Sequence, residues 1–309
     1  MRHERSLHLL LAGMMLIVLW GALVPPDIEY RRELERERFW LIKVFGDDRH
    51  DLVVTGDSRV YRGLSPDDIA ATAPGRSVFN YGFSSGIFDE ELLARAEARL
   101  APAGTRELLI AISPHALTAK RNEHLAELLR TPREERLLKR GIPSLPLFFH
   151  RLSPQRFIDL LAGKDILNDT SNYREAYDAR TGWVASSYLV EKGEEGTLRS
   201  YREMRAKFPV SPDRVAALRD RVAALRDRGV TVYFLYLPSS DRMRELEREW
   251  PGFDYAMVRR ALESAGAVSL DDAVPPGLHS YDGSHLDERS ARLLSRSLGA
   301  AIARKRSGE

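Results

Sequence analysis

Two short motifs, one near each end of the chain, combine chemically reactive side chains with glycines that permit tight turns. The first, GDSR (56–59), directly follows an apolar run, and the second, DGSH (282–285), precedes the last helical pattern. A serine hydroxyl becomes a nucleophile when an imidazole accepts its proton, and an aspartate three residues before a histidine can fix the tautomer of the ring. This spacing predicts Ser58 as nucleophile, His285 as base and Asp282 as the group that orients it.

Each motif alone has an ordinary structural explanation. Gly-Asp-Ser also occurs in turns where the serine caps a helix, and Asp-x-x-His also occurs in loops with a surface histidine. The two motifs together, each at a strand-to-helix transition and at opposite ends of the pattern, favour the catalytic interpretation.

The elements between the motifs alternate strand and helix. The predicted strands are the apolar runs at 51–56, 76–82, 107–113, 230–238 and 266–272. Helical patterns follow from Ser65 and at 88–100, 213–228, 240–265 and 286–303. This alternation predicts an α/β fold with a five-stranded parallel sheet, whose active residues lie at the carboxyl ends of the strands.

Residues 116–212 do not follow this alternation and are predicted to form a largely helical insertion at the active-site end. The domain organisation expected from the sequence has three parts. Residues 1–26 form a membrane anchor, residues 27–50 a juxtamembrane helix or linker, and residues 51–305 the catalytic domain.

With these motifs the chain resembles the SGNH/GDSL hydrolase superfamily over residues 51–115 and 213–305. The resemblance implies a flavodoxin-like three-layer αβα sandwich, with Ser58, Asp282 and His285 as the catalytic triad. The apolar N-terminus and the GDSR form are similar to one branch of that superfamily, the membrane-anchored proteins of polysaccharide O-acetylation and teichoic-acid D-alanylation.

The resemblance also implies residues that bind the oxyanion or the substrate. The candidates are Asn80, Gly82, Ser85, Gly86, His115 and Arg59. The family's second block has the form Asn-…-Gly, and NYGFSSG (80–86) places Ser85 near the position of the usual glycine. A backbone N–H can donate to the oxyanion whatever the side chain is, so Ser85 or Gly86 can take this role. The family's third block ends in Gly-x-Asn-Asp, whereas this chain has Ser113-Pro114-His115. The ring of His115 is either a hydrogen-bond donor in place of the asparagine or a structural histidine. Arg59 either binds an anionic group of the substrate or forms a surface ion pair.

The N-terminal sequence is apolar from Leu9 to Val24, after Arg2 and Arg5 and before two prolines. This pattern predicts an uncleaved single-span anchor, and a removed signal peptide is the alternative. A count of Lys and Arg on each side places the body in the cytoplasm. The family resemblance implies instead an extracytoplasmic body, periplasmic or extracellular, and that is the expectation adopted.

Composition excludes several classes of function. The chain has 309 residues, 43% hydrophobic and 30% charged, with a formal net charge of +2 and no cysteine. The absence of cysteine excludes disulfides and zinc–cysteine sites, and the small net charge does not favour binding to nucleic acid. No metal-ligand cluster, Walker loop or dinucleotide fingerprint is present, so neither a metal nor a cofactor is predicted.

The expected function is an acyl ester hydrolase or an O-acyltransferase that acts on cell-envelope or extracellular polysaccharide. The sequence leaves open whether water or a sugar hydroxyl accepts the acyl group. The alternative is a non-catalytic module of the same fold that binds polysaccharide or partners a membrane-bound acyltransferase.

Overall fold

The structure, a computed structural model, describes residues 2–23, 27–163, 173–188 and 193–307. The chain divides into two compact units. The first unit comprises residues 1–42 and 130–171, and the second unit comprises residues 43–129 and 172–309. The first unit therefore takes the middle of the segment predicted as an insertion.

Seven strands lie among the described residues of the second unit. They are β1 (Leu52–Gly56), β2 (Val78–Gly82), β3 (Glu107–Ile112), β4 (Tyr173–Asp178), β5 (Trp183–Tyr188), β6 (Thr231–Tyr236) and β7 (Val268–Ser269). Five of them form one parallel sheet in the order β2-β1-β3-β6-β7, and β4 pairs with β5 in an antiparallel hairpin. The predicted α/β fold with a five-stranded parallel sheet is confirmed.

Fourteen α-helices lie within the described residues. In chain order they are α1 (Arg2–Leu23), α2 (Ile28–Phe45), α3 (Ser58–Gly63), α4 (Pro66–Thr72), α5 (Glu90–Ala98), α6 (Glu123–Arg130), α7 (Arg133–Gly141), α8 (Ser144–Arg151), α9 (Pro154–Leu161), α10 (Glu195–Lys207), α11 (Pro212–Asp227), α12 (Asp241–Arg248), α13 (Tyr255–Ser264) and α14 (Glu288–Ser307). Short 3₁₀ turns lie at His115–Leu117 and Asp271–Ala273.

The sheet is buried on both faces because its strands are nearly continuous apolar runs. On one face, Leu52 and Val54 join a core cluster with Leu294 and Leu298 of α14. Val53 is fully buried on the opposite face, where α5 packs against β1 and α11 packs against β6. The strand order corresponds to the 2-1-3-4-5 order of a doubly wound sheet, in which the switch point lies between β1 and β3.

Two regions differ from the sequence prediction. The helix expected over 240–265 is two helices, α12 and α13, because Pro251-Gly252 lies in the connection between them. Residues 173–188 form the β4–β5 hairpin, although the segment was predicted to be largely helical. Tyr, Trp and Val favour strands, but β4 also carries Arg174, Glu175 and Asp178 and β5 carries two serines, so neither strand shows the regular alternation of a half-buried strand.

The N-terminal segment is helical as α1, followed by α2 over most of the predicted juxtamembrane segment. Among the residues described, no helix combines the length and the hydropathy that crossing a membrane requires. Residues 24–26 of the predicted anchor lie outside the described residues, and the anchor stays a prediction.

Candidate active site

Ser58 is placed by the sharp turn between β1 and α3. Asp57 caps α3, because one oxygen of its carboxylate accepts a hydrogen bond from the Arg59 backbone N–H at 2.9 Å. The other oxygen accepts a bond from the Ser113 hydroxyl at 2.6 Å. Since Ser113 directly follows β3, the ends of two neighbouring strands together fix the turn that carries Ser58.

Asp282 and His285 are placed by a tight loop before α14. One oxygen of the Asp282 carboxylate accepts bonds from the backbone N–H groups of Ser284 at 2.9 Å and His285 at 2.7 Å. Gly283 has a φ of +86°, and a Cβ there would lie 2.6 Å from a carboxylate oxygen of Glu194. This turn therefore requires glycine both for its conformation and for its space.

The structure brings the three predicted catalytic side chains into one hydrogen-bonded chain. The Nδ1 atom of His285 lies 2.7 Å from Asp282 Oδ2, and its Nε2 atom lies 2.8 Å from Ser58 Oγ. The Asp282 side chain is 6% exposed and the His285 side chain 15% exposed. Ser58 is half-buried, so its hydroxyl is within reach of a reactant.

Asp282 carries the charge that this arrangement needs. Burial raises the pKa of its carboxyl group, but the neighbouring His285 and the hydrogen bonds from that loop lower it further, and the net pKa lies below its usual value. The carboxylate therefore stays ionised near neutral pH and stabilises an imidazolium at His285.

Two of the predicted oxyanion donors are already engaged. The Gly82 N–H donates to Asn80 Oδ1 at 2.9 Å, and the Gly86 N–H donates to the Phe83 carbonyl at 3.1 Å. Both amides are therefore unavailable to a substrate in this conformation.

Ser58 and Ser85 offer the amides that remain. The Ser58 N–H lies in the first turn of α3 and has no intrahelical acceptor. No acceptor among the described residues receives the Ser85 N–H. Ser85 also has a φ of +51°, a conformation that non-glycine residues adopt mainly where the surrounding structure enforces it.

The loop that carries Ser85 is held against the nucleophile turn. The Phe83 N–H donates to the Gly56 carbonyl at 2.9 Å. A Cβ at Gly86 would lie 2.4 Å from the same carbonyl oxygen, so only glycine permits this close approach. Gly86 thus has a structural role at the site.

His115 begins the 3₁₀ turn after β3 and is 3% exposed. Burial lowers the pKa of its ring to about 4, against the opposing effect of Asp57, and the ring is neutral near pH 7. It lies beside the nucleophile turn and the Ser85 backbone, without a regular hydrogen bond from either ring nitrogen to a described residue. A neutral ring retains one N–H, so the donor role remains a prediction.

Asn80 does not have a free amide for a substrate. It is fully buried, and its Nδ2 donates to the carbonyls of Val60 and Leu64, both at 2.7 Å. Since its Oδ1 accepts from Gly82, the side chain ties β2 to the end of α3. The structure gives this residue a supporting role in place of the predicted oxyanion or substrate contact.

Arg59 is likewise turned away from solvent. Its side chain is 2% exposed and pairs with Glu247 at 2.5 Å, while its Nε donates to Ser284 Oγ at 3.0 Å. Its guanidinium lies over the ring of Tyr201 at 5.4 Å. The sequence left two alternatives for Arg59, an anion-binding residue and a surface ion pair. The structure shows a buried ion pair instead.

Glu247 and Tyr281 are site residues that sequence reasoning missed. Glu247 lies inside an ordinary amphipathic helix, and nothing in its spacing distinguishes it. Tyr281 stacks against the ring of His285 at 6.0 Å, and its hydroxyl accepts a bond from Arg62 at 2.6 Å. Its position directly before the DGSH motif was the only available signal.

Comparison with known proteins adds little to this geometry. No family model matches the sequence, and no curated protein matches it. A solved structure described as "a putative platelet activating factor from Streptococcus pneumonia" is similar at 13% identity, covering 94% of this chain and 98% of that one, with a TM-score of 0.34. A similarity at this level carries no argument about fold or function. Among the described residues, no group of three or more His, Asp or Glu side chains is arranged to hold a metal ion.

Proposed function

We propose that this protein is a serine-dependent acyl ester hydrolase or O-acyltransferase. The observation that carries the proposal is the continuous chain of hydrogen bonds from Ser58 Oγ through His285 to Asp282. Nucleophile and base lie at hydrogen-bonding distance, and a third group orients the base, which is the arrangement that nucleophilic catalysis requires.

In the proposed reaction, Ser58 Oγ attacks the acyl carbonyl while His285 Nε2 takes the hydroxyl proton. Asp282 stabilises the imidazolium that results. The amides of Ser58 and Ser85 donate to the oxyanion, and the leaving alcohol then receives the proton from His285. Water or a second hydroxyl group attacks the acyl-serine with the same proton transfer, and this acceptor decides between hydrolysis and acyl transfer.

The finer parts of the proposal rest on the SGNH/GDSL resemblance. It implies polysaccharide as the substrate, a membrane attachment through α1, an extracytoplasmic body and a membrane-bound acyltransferase as a partner. The exposed apolar side chains of α1 are compatible with the attachment. The substrate class, the membrane attachment, the location and the partner are therefore parts of the proposal.

The test is labelling with a fluorophosphonate probe, which reacts only with an activated serine. We expect the wild-type protein to label, and Ser58→Ala and His285→Ala to lose the label. Ser264→Ala, at an exposed serine on α13, is the matched control and should label as the wild type does.

A folded wild-type protein that does not label would favour the non-catalytic binding module. Circular dichroism of each variant separates loss of the nucleophile from loss of the fold. If the probe labels the wild type, unlabelled enzyme is given a short-chain aryl ester in water alone or with a glycan. Release of the free acid indicates a hydrolase, and transfer of the acyl group to the glycan indicates a transferase.

A further inference from the structure

The exposed apolar side chains of the described residues are concentrated in one unit. Seventeen of the twenty large ones lie in the first unit, and the second unit, although larger, exposes only Tyr173, Met257 and Leu293. Single exposed apolar residues are normal on a protein surface, but such a concentration marks an interaction site.

Six of these side chains lie outside α1, on α7, α8, α9 and the connection at Ile142. The six, here called the α7–α9 surface, are Leu137, Leu138, Ile142, Phe149, Ile158 and Leu161. Phe149 is 61% exposed and Leu161 is 74% exposed. The three helices are short; charged residues accompany the apolar ones in α7 and α9, and α8 carries its one charged residue, Arg151, at its end.

The charge of the same segment is positive. Residues 130–163 contain seven Lys and Arg against three Asp and Glu. Beside α8, a cleft of about 370 Å³ is lined by Arg31, Arg38 and Arg151, by apolar side chains, and by Glu35, which pairs with Arg31 at 3.1 Å. Exposed apolar side chains and an excess of basic residues in one segment match the boundary between the acyl chains and headgroups of an anionic membrane.

The α7–α9 surface adjoins the apolar helix α1 through α8. The Trp20 indole N–H donates to the Arg151 carbonyl at 3.0 Å, and the Arg151 guanidinium donates to the Gly21 carbonyl at 2.7 Å. Phe148 packs directly on Gly21. Ten further apolar side chains of α1, between Leu7 and Leu19, are exposed, so the first unit exposes apolar area on α1 as well as on α7–α9.

We propose that the α7–α9 surface lies on an anionic lipid bilayer, with Phe149 and Leu161 inserted at the headgroup–acyl boundary. The basic residues of the segment attract anionic lipid, and burial of the six apolar side chains holds the helices there. This contact needs no helix that crosses the membrane, and it is independent of the proposed catalysis.

The absence of cysteine permits a site-specific test on the full chain. Single-cysteine variants Phe149→Cys and Leu161→Cys are labelled with the environment-sensitive fluorophore NBD. Asp220→Cys, at an exposed site on α11 of the second unit, is the matched control. Each is mixed with vesicles of phosphatidylcholine alone or of phosphatidylcholine with phosphatidylglycerol.

We expect the fluorescence at positions 149 and 161 to rise several-fold with the anionic vesicles and to be quenched by lipids that carry a shallow nitroxide. The rise should weaken at high salt, and position 220 should not change. These labels report on their own surroundings, so attachment through α1 alone would leave all three positions in water.

Three results would overturn the inference. One is an unchanged signal at 149 and 161 while the protein floats with the vesicles. Another is a rise that depends on protein concentration without lipid, which would assign this surface to a second copy of the chain. A third is an equal rise at position 220.

Discussion

At the scale of single residues, His115 is the group whose role is most open to experiment. It begins the 3₁₀ turn after β3, where the resemblance places an asparagine that donates to the oxyanion. Burial keeps its ring neutral, so it can donate through one N–H without carrying a charge. The same burial is also what a purely structural histidine would show.

If the His115 ring donates to the oxyanion, His115→Ala should lose about 3 kcal/mol of transition-state stabilisation, while His115→Asn retains activity. The loss should appear in kcat and not in KM, because the oxyanion exists only after attack. Steady-state kinetics on a short-chain aryl ester measure both constants. An unchanged kcat in His115→Ala, together with a lower melting temperature, would make the residue structural.

The buried ring also predicts how stability depends on pH. Because the pKa of His115 is about 4 in the folded chain and about 6.5 when unfolded, the unfolded state binds more protons between these values. The free energy of unfolding should therefore fall by about 3 kcal/mol as pH drops from 7 to 4, and stay level above 7.

His115→Gln removes the titrating group and should flatten that dependence. Urea unfolding at pH 7 and pH 4.5 gives the change in the free energy of unfolding with pH for the wild type and for the variant. Parallel slopes would mean that the ring is protonated in the folded chain at the lower pH.

The reactive residues were easier to predict than the residues beside them. Ser58, Asp282 and His285 belong to short motifs, and the residue types and spacing of these motifs already indicate a nucleophile, a base and the group that orients the base. Arg59 lies in the first of these motifs and Asn80 in NYGFSSG, but their contacts with Glu247 and Leu64 depend on elements distant in sequence or on the bend of α3. Spacing alone contains no information about those partners.

At the scale of elements, a buried ion pair connects the two parts of the proposed active site. Arg59 follows the nucleophile on α3, Glu247 lies on α12, and Ser284 lies in the loop that carries His285. Glu247 also accepts a bond from the Tyr236 hydroxyl at 2.6 Å. Removing one partner of such a pair leaves the other charge buried without compensation.

Glu247→Gln should therefore lower the free energy of unfolding by about 3–5 kcal/mol. Glu249→Gln is the matched control, since the side chain of Glu249 is 65% exposed in its pair with Arg205 and its loss should cost less than about 1 kcal/mol. Urea unfolding midpoints of the two variants make the comparison. Equal effects would show that the buried pair does not stabilise the fold.

The strands of the sheet could be predicted because parallel strands that are buried on both faces consist of nearly continuous apolar residues. The β4–β5 hairpin could not, because it depends on pairing between its two strands and on packing of Trp183 and Ala185 into the core. The register joins Tyr173 to Tyr188 and Asp178 to Trp183, and neither strand is a continuous apolar run. Partner-dependent structure of this kind leaves a weak trace in local sequence.

At the scale of the whole molecule, charge and resemblance predict opposite locations for the second unit. Two arginines precede the apolar stretch, whereas five Lys and Arg follow it within residues 31–43, which favours a cytoplasmic body. Acidic residues alternate with these bases, but they contribute little to the rule. The proposed substrate, an envelope or extracellular polysaccharide, requires the triad to lie outside.

A fusion of alkaline phosphatase after Glu309 decides between these locations, because the phosphatase becomes active only where its disulfides form. We expect whole cells that express the fusion to be active, and the matched fusion beginning at Asp27 to be inactive, since it lacks the apolar segment proposed to direct export. Immunoblots must show equal amounts of both. If both fusions are equally inactive, the body lies in the cytoplasm, and a polysaccharide outside the cell is not the substrate, although the Ser58–His285–Asp282 chemistry could still act on another ester.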